Sequence, residues 1–310
     1  MMTNILILAG ALFMVGRGAT MATRYAIRVA ENLRFSKYII GFLVIAVISI
    51  LPELIISINA ALRGDSSFGL GLILGSNIAD LTLIFALVVL FAGRGVKVEQ
   101  KILKNHSLYP FILMLPLVLG IDGEFTRVEG AGLILAGVIF YYLSLKKHGT
   151  APHSSNPSTE GRMKNVLFLL FSLVLLLVGA HFTVSAAAGL ALSWGVSAAL
   201  IGMLVVALGT TMPELFFSIR SVKQNDDSLA VGDLLGTVLA DATIVIGLIA
   251  VIAPFTFPQT TIYVGGVFMV AAAFILFSFM RSHHTITKLE AFALFMFWLT
   301  FASVQFIVHA

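Results

Sequence analysis

Two stretches of this chain, Gly41–Phe85 and Gly202–Ile246, repeat each other without a gap. At a constant offset of 161, 17 of their 45 aligned positions are identical. They read AVISILPEL…GSNIAD and ALGTTMPEL…GTVLAD. Pro52 matches Pro213, Glu53 matches Glu214, Ser57 matches Ser218, Gly71 matches Gly232, Gly75 matches Gly236 and Asp80 matches Asp241. Ala46 aligns with Ala207, Ser49 with Thr210, and Ser76 with Thr237. Agreement of this kind inside one chain is a duplication, so the fold must be built from two related halves. Each copy places a Pro-Glu pair inside one apolar span and an Asp 27 residues later inside the next.

The solvent for those halves follows from composition. Of 310 residues, 59% are hydrophobic and 11% charged, and the mean hydropathy is +1.04. A soluble chain carries about 25% charged residues, so this is an integral membrane protein. With no cysteine there is no disulfide framework, thiol nucleophile or thiolate metal site. The formal charge of +4 calls for no nucleic-acid partner when the basic residues sit in loops on one side. The opening MMTNILILAG lacks a basic region and a small-residue cleavage site and is expected to start a retained helix.

A hydrocarbon core of about 30 Å takes about 20 helical residues. On that measure the chain is expected to be an all-α membrane protein of ten transmembrane helices, at 4–31, 38–62, 67–92, 105–121, 128–145, 164–190, 197–221, 228–253, 259–280 and 287–308. The long polar connection KKHGTAPHSSNPSTEGRMK, Lys146 to Lys164, reads as a flexible linker. It divides one transport domain into a first five-helix half (1–147), a linker (148–163) and a second five-helix half (164–310). Loops on one side carry Arg34, Lys37, Arg94, Lys97, Lys101, Lys104, Lys146, Lys147, Arg162, Lys164, Arg220, Lys223, Arg281 and Lys288. The other side carries Arg63 and Arg127, beside Asp122, Glu124 and Glu129. The positive-inside rule then makes the linker cytoplasmic and both termini external, in the cell membrane. Five spans separate the two copies, so they cross in opposite directions. Inverted repeats mark secondary transporters, with the site at mid-membrane between them; duplication alone would also fit a passive cation channel.

The chemistry lies in the repeats. Pro52 and Pro213 fall mid-span, where each lacks an N–H and clashes with the carbonyl four residues back. The second and seventh helices are therefore expected to break, freeing the carbonyls of Ile48 and Gly209. Free carbonyls in hydrocarbon are costly unless they line a cavity or bind something. A lone mid-span proline is often a simple kink, but here a carboxylate follows each one. An acid at bilayer depth costs at least about 2.5–3.5 kcal/mol, and two at matched positions point to function. Helical spacing puts Ala46, Ser49, Glu53 and Ser57 on one stripe and Ala207, Thr210, Glu214 and Ser218 on its counterpart. Ser76 and Asp80, and likewise Thr237 and Asp241, are i, i+4 pairs.

The set is all oxygen, which suits hard cations; Ca²⁺ takes six to eight oxygens, and zinc and copper are disfavoured without Cys or His. Four carboxylates around one site cannot all be ionised without cations, so Asp80 or Asp241 is expected to hold a proton when no divalent ion is bound. Asp233, in GDLLGT, faces Leu72 in the alignment and falls outside the symmetry argument; it is expected to line an ion path or sit near the cytoplasmic mouth and is the weakest of the candidate ligands. Arg17, Arg24 and Arg28 on the first span could pair with acids, but Arg24 and Arg28 at least are expected to snorkel to the interface, and His148, His153, His283 and His284 are expected in loops. The chain contains no nucleotide loop and no nucleophile–base arrangement, so an enzyme is not expected and no cofactor is called for.

These residues resemble the cation/calcium exchanger superfamily, specifically its sodium/calcium exchanger branch. The resemblance rests on VVALGTTMPEL with GDLLGTVLAD, VIAVISILPEL with GSNIAD, and GIDGEFTRVEGAGLILAG between the halves. It is that of a prokaryotic-type member without a regulatory domain, functional as a monomer in the bilayer. It implies ten helices in two inverted halves and exchange of one Ca²⁺ for several Na⁺ by alternating access. It also implies that Glu53 and Glu214 are the central Ca²⁺ ligands, with carbonyls or hydroxyls of Ser49 and Thr210. Flanking Na⁺ sites would use Ala46, Ser49, Ser76, Thr237 and Glu53 on the inner side and Ala207, Thr210, Ser76, Thr237 and Glu214 on the outer. Asp80 and Asp241 would complete the middle. Two departures stand out. Gly209-Thr210-Thr211 keeps the family pattern, whereas Ile48-Ser49-Ile50 has lost the Gly and one hydroxyl, so the halves are expected to bind Na⁺ unequally. Asp80 stands where many members have Asn, an extra acid that also suits an H⁺/Ca²⁺ antiporter of the same superfamily.

Overall fold

The computed structural model describes residues 2–30, 40–99, 108–148 and 162–309. Arg34, Lys37, Lys101, Lys104, His153 and most of the 148–163 linker lie outside the described residues. Among the described residues seven helices are long and apolar enough to cross a membrane: Ser66–Ala92, Arg127–Lys146, Met163–Trp194, Ala198–Lys223, Asp227–Ile252, Gln259–His283 and Lys288–Val308. Three shorter apolar helices, Met2–Gly18, Ala46–Leu62 and Tyr109–Asp122, accompany them. The burial pattern inverts that of a soluble protein. Phe13, Leu135, Leu177, Phe292 and Ile307 are exposed, whereas Ser76, Asp80, Thr237 and Asp241 are fully buried. Lipid offers apolar side chains the same environment as a core, so the interior is free to hold polar groups.

In chain order the α-helices are α1 (Met2–Ala30), α2 (Ala46–Ser49), α3 (Leu51–Leu62), α4 (Ser66–Ala79), α5 (Phe85–Ala92), α6 (Tyr109–Ile112), α7 (Leu115–Leu119) and α8 (Arg127–His148). They continue with α9 (Arg162–Trp194), α10 (Ala198–Ile201), α11 (Ala207–Thr210), α12 (Met212–Lys223), α13 (Asp227–Ala240), α14 (Ile246–Ile252), α15 (Gln259–His283) and α16 (Lys288–His309).

The breaks fall where the prolines require them. Between α2 and α3 the helix lapses at Ile50, and between α11 and α12 at Thr211, positions again 161 apart. Each proline is the second residue of the resumed helix, where its missing N–H would have had no intrahelical partner. Each glutamate follows directly, in the first turn.

The sequence did not foretell the π-helical turns. They run over Ile40–Ile45 and Gly202–Val206, just before the broken helices, and over Asp80–Ile84 and Asp241–Val245, beginning at the two matched aspartates. A π turn adds a residue and leaves carbonyls poorly matched, which is why such turns gather at functional sites.

The two repeats pack crosswise. A Cβ added at Gly75 would lie 2.1 Å from the carbonyl oxygen of Met203, and one added at Gly236 would lie 2.3 Å from that of Phe42. Gly75 with Met203 and Gly236 with Phe42 are the same contact under the offset of 161. The π turn of each repeat thus lies directly on the second helix of the other, as close as the absence of a side chain permits.

The same exchange recurs in two short antiparallel ribbons. β1 (Val96–Lys97) pairs with β4 (Thr285–Ile286), and β2 (Glu124–Phe125) pairs with β3 (Phe255–Thr256). They correct an all-helical expectation only locally: an open chain end needs backbone partners, and the opposite half supplies them. Matching capping boxes start α8 and α16. Thr126 N–H donates to Glu129 at 2.8 Å and Thr287 N–H to Glu290 at 2.8 Å, with each threonine hydroxyl accepting in return at 3.3 Å.

Candidate functional site

The crosswise packing brings both Pro-Glu breaks against both Asp-bearing helices. Glu53 and Glu214 are each 1% exposed, and Asp80, Asp233 and Asp241 are fully buried. The carboxylates lie within one electrostatic field. Asp80 is acted on by Glu53 and Asp233; Glu214 by Glu53, Asp80 and Asp233; and Asp241 by Glu53 and Asp80. The Thr210 side chain of the second break faces the Glu53 carboxylate of the first. Both carboxylate oxygens of Glu53, Asp80, Glu214 and Asp241 lack a hydrogen-bond donor, as does the Thr237 hydroxyl. Buried polar atoms are otherwise almost always satisfied, so eight orphaned carboxylate oxygens in one region form a site built for something that brings positive charge.

The hydroxyls divide into two kinds. Thr210 donates to its own helix at Ala207 (3.1 Å), Ser76 to Ile73 (3.1 Å) and Thr211 to Leu208 (3.4 Å), leaving lone pairs free to meet a cation. Ser49 instead donates across the halves to Asp233 Oδ1 at 3.2 Å. The carbonyls of Ala46 and Ala207 accept N–H groups at 3.0 Å, from Ile50 and Thr211, and that of Ala207 also accepts the Thr210 hydroxyl at 3.1 Å. Ser57 lies against Gly69, its hydroxyl 3.5 Å from that carbonyl, and serves the α3–α4 contact.

Among the described residues no three His, Cys, Asp or Glu side chains are placed to hold one metal ion together. Beside the carboxylates, the oxygens at hand are hydroxyls and backbone carbonyls. A shell of such oxygens is that of a hard cation.

Sequence reasoning undervalued Asp233 and missed two tyrosines. Asp233 precedes Thr237 by four residues, as Thr237 precedes Asp241, so it continues the same helical stripe one turn further. Its lack of an acidic counterpart hid it. Tyr109 donates to the Leu235 carbonyl and Tyr141 to the Gly236 carbonyl, each at 2.6 Å. Both tyrosines are buried, and they hold consecutive carbonyls of α13 just before Thr237.

The mouths of the molecule are tied differently. Arg94 makes a bidentate ion pair with Asp227, at 2.7 and 2.8 Å, and also donates to the Val222 carbonyl at 2.8 Å. Lys97 N–H donates to the same aspartate at 2.8 Å. At the opposite end Arg63 reaches His181 and Ser185 at 2.7 Å each. A largely apolar cavity of about 450 Å³ lies between α1 and the second break, lined by Leu12, Phe13, Arg17, Gly209, Pro213 and Phe216 among others. Its lining excludes it as the ion site, though Gly209 is what lets Leu12 approach the break so closely.

Comparison with known proteins agrees with this geometry. A family model described as "Sodium/calcium exchanger protein" matches the chain twice, over residues 3–146 and 164–307, two segments displaced by the same 161 positions. The sodium/calcium exchanger MaX1 of Methanosarcina acetivorans is 24% identical over 98% of both chains. The inner membrane protein YrbG of Escherichia coli is 30% identical over 70% of each. Among solved structures, that of the sodium-calcium exchanger NCX_Mj soaked with Na⁺ and Sr²⁺ superposes with a TM-score of 0.71 at 23% identity, covering 96% of this chain and 97% of that one.

Proposed function

The chain belongs to the sodium/calcium exchanger protein family, and from that membership we propose that it is a secondary antiporter exchanging Ca²⁺ for Na⁺ across the cell membrane by alternating access. The seven long helices and three shorter ones are then ten spans, arranged as two inverted halves of five with the 146–164 linker cytoplasmic. The observation that carries the reading is the pair Glu53 and Glu214. Two carboxylates, each beginning a resumed helix at a proline break, are buried with no donor on any of their four oxygens.

In this reading Glu53 and Glu214 hold Ca²⁺ between the breaks, assisted by Ser49 and Thr210. Ser76, Thr237 and the carbonyls of Ala46 and Ala207 serve the flanking Na⁺ positions, and Asp80 and Asp241 close the middle. Ca²⁺ and Na⁺ then compete for one set of oxygens, which obliges exchange rather than leak: an unloaded cluster of ionised carboxylates is too costly to close off from water while access switches sides. With an inward Na⁺ gradient the expected physiological direction is Ca²⁺ extrusion.

A second reading, H⁺/Ca²⁺ antiport, draws on the acid at Asp80 and the further acid at Asp233. Sodium is favoured by the hydroxyls beside each glutamate, since Na⁺ needs fixed oxygens and a proton does not. A passive channel is disfavoured by the near-complete burial of all five acids. Purified protein in vesicles should take up radiolabelled Ca²⁺ when a Na⁺ gradient is imposed. Uptake driven only by a pH gradient would select the second reading, and Ca²⁺ flux independent of any counter-ion would select the channel.

A further inference from the structure

We propose that Asp233, together with Ser49, forms a subsite for one monovalent hard cation of the size of Na⁺ beside the first break, replacing the hydroxyl that Ile50 lacks. The inference rests on the exchanger reading above and assigns a ligand that the duplicated residues do not supply.

Comparison of the two flanks carries it. Under the offset of 161, Ser49 corresponds to Thr210, Ile50 to Thr211 and Leu72 to Asp233. Beside the second break stand two hydroxyls, Thr210 and Thr211, each turned back to a carbonyl of its own helix. The position equivalent to Asp233 holds Leu72, which belongs to the same apolar cluster as Val206 and Ala207. Beside the first break stands one hydroxyl, Ser49, and it donates to a carboxylate on the other half at 3.2 Å. One flank thus has two neutral oxygens and no acid, and the other has one neutral oxygen and an acid.

Asp233 is fully buried, and its Oδ2 has no hydrogen-bond partner. One turn along the same face, the buried Thr237 hydroxyl is also unpartnered. An unpaired carboxylate at this depth is expensive, and a serine hydroxyl satisfies only one of its lone pairs. A cation on Oδ2 removes the deficit. One carboxylate neutralises one positive charge, whereas Ca²⁺ calls for more anionic oxygen than a single Asp with hydroxyls provides. The ion that fits is therefore monovalent, and its remaining ligands are neutral oxygens such as Ser49 Oγ and Thr237 Oγ1.

The test compares wild-type protein with Asp233→Asn and with the double variant Asp233→Asn/Ile50→Thr. Equilibrium binding of radiolabelled Na⁺ to purified protein is read beside the Na⁺ and Ca²⁺ dependence of uptake in vesicles. Loss of a charge-assisted contact should raise the Na⁺ half-saturation about tenfold and remove about one bound Na⁺ per chain. The Ca²⁺ half-saturation should move by less than about threefold, because the central glutamates keep their oxygens. Restoring a hydroxyl at position 50 should recover part of the Na⁺ affinity, which a purely structural aspartate would not predict. Unchanged Na⁺ binding and half-saturation in a folded Asp233→Asn protein would overturn the subsite while leaving the exchanger reading intact. An unchanged Na⁺ count with a shifted pH dependence would overturn it too, making Asp233 a proton site. Wild-type protein that neither binds Na⁺ nor couples it to Ca²⁺ would overturn the exchanger reading and the subsite together.

Discussion

Gly75 and Met203 touch through backbone: a Cβ at Gly75 would sit 2.1 Å from the Met203 carbonyl oxygen. The contact is repeated by Gly236 and Phe42 at 2.3 Å, and the pair of contacts seats each broken helix on the other repeat. The obstructing atom is backbone in a π turn, so no rotamer change relieves it. Gly75→Ala and Gly236→Ala should each destabilise the protein by about 1–3 kcal/mol or more. Thermal unfolding in detergent would measure this, and Gly132→Ala, with open space around the glycine, serves as the control with little effect.

The five acids should not be equivalent. Glu53→Gln and Glu214→Gln remove a charge at the breaks, where the proposed Ca²⁺ position needs both, and Na⁺-driven Ca²⁺ uptake should fall to background. Asp80→Asn and Asp241→Asn remove groups of which one is expected to carry a proton in the absence of divalent ion, so each should retain measurable transport. Equal loss from all four substitutions would refute that ranking.

Arg94 and Asp227 join the loop after α5 to the start of α13, through two side-chain contacts reinforced by Lys97 N–H. The Arg94 side chain is 36% exposed, so solvent screens the pair. A double-mutant cycle with alanine at both positions should give a coupling of about 1 kcal/mol, shrinking as salt is raised. Each single change should cost more than the coupling, because Asp227→Ala also strands the Lys97 N–H and Arg94→Ala the Val222 carbonyl.

The capping boxes give a matched test of the duplication. Thr126→Ala and Thr287→Ala each remove a hydroxyl that accepts from the N–H three residues on, and each should lower stability by about 1 kcal/mol. Similar losses at the two positions, read by thermal unfolding, would indicate that the halves contribute evenly away from the ion site.

Several features were legible before any coordinates because they rest on covalent or local constraints. A proline cannot continue the helical hydrogen-bond ladder, so the interruptions at Ile50 and Thr211 fall where Pro52 and Pro213 demand them, two residues before each. Acids one turn from hydroxyls share a face by helical periodicity, which is why Ser76 with Asp80 and Thr237 with Asp241 could be paired in advance. Duplication fixed which residues are equivalent, and the alternation of basic loops suggested that the copies run in opposite directions.

What the residues alone withheld are the relations that cross between the halves. The hydrogen bond from Ser49 to Asp233 spans 184 positions; no local period encodes such a distance, and reasoning from symmetry turned attention away from an acid facing Leu72. The seating of Gly75 on Met203, the exchange of partners between the two ribbons and the capture of α13 carbonyls by Tyr109 and Tyr141 have the same origin. Each depends on how closely two distant backbones approach, and that is set by the packing of the whole interior. The chain's pattern dictates a membrane protein with paired breaks and paired acids, and tertiary packing buries those pairs together and joins Ser49 of one half to Asp233 of the other.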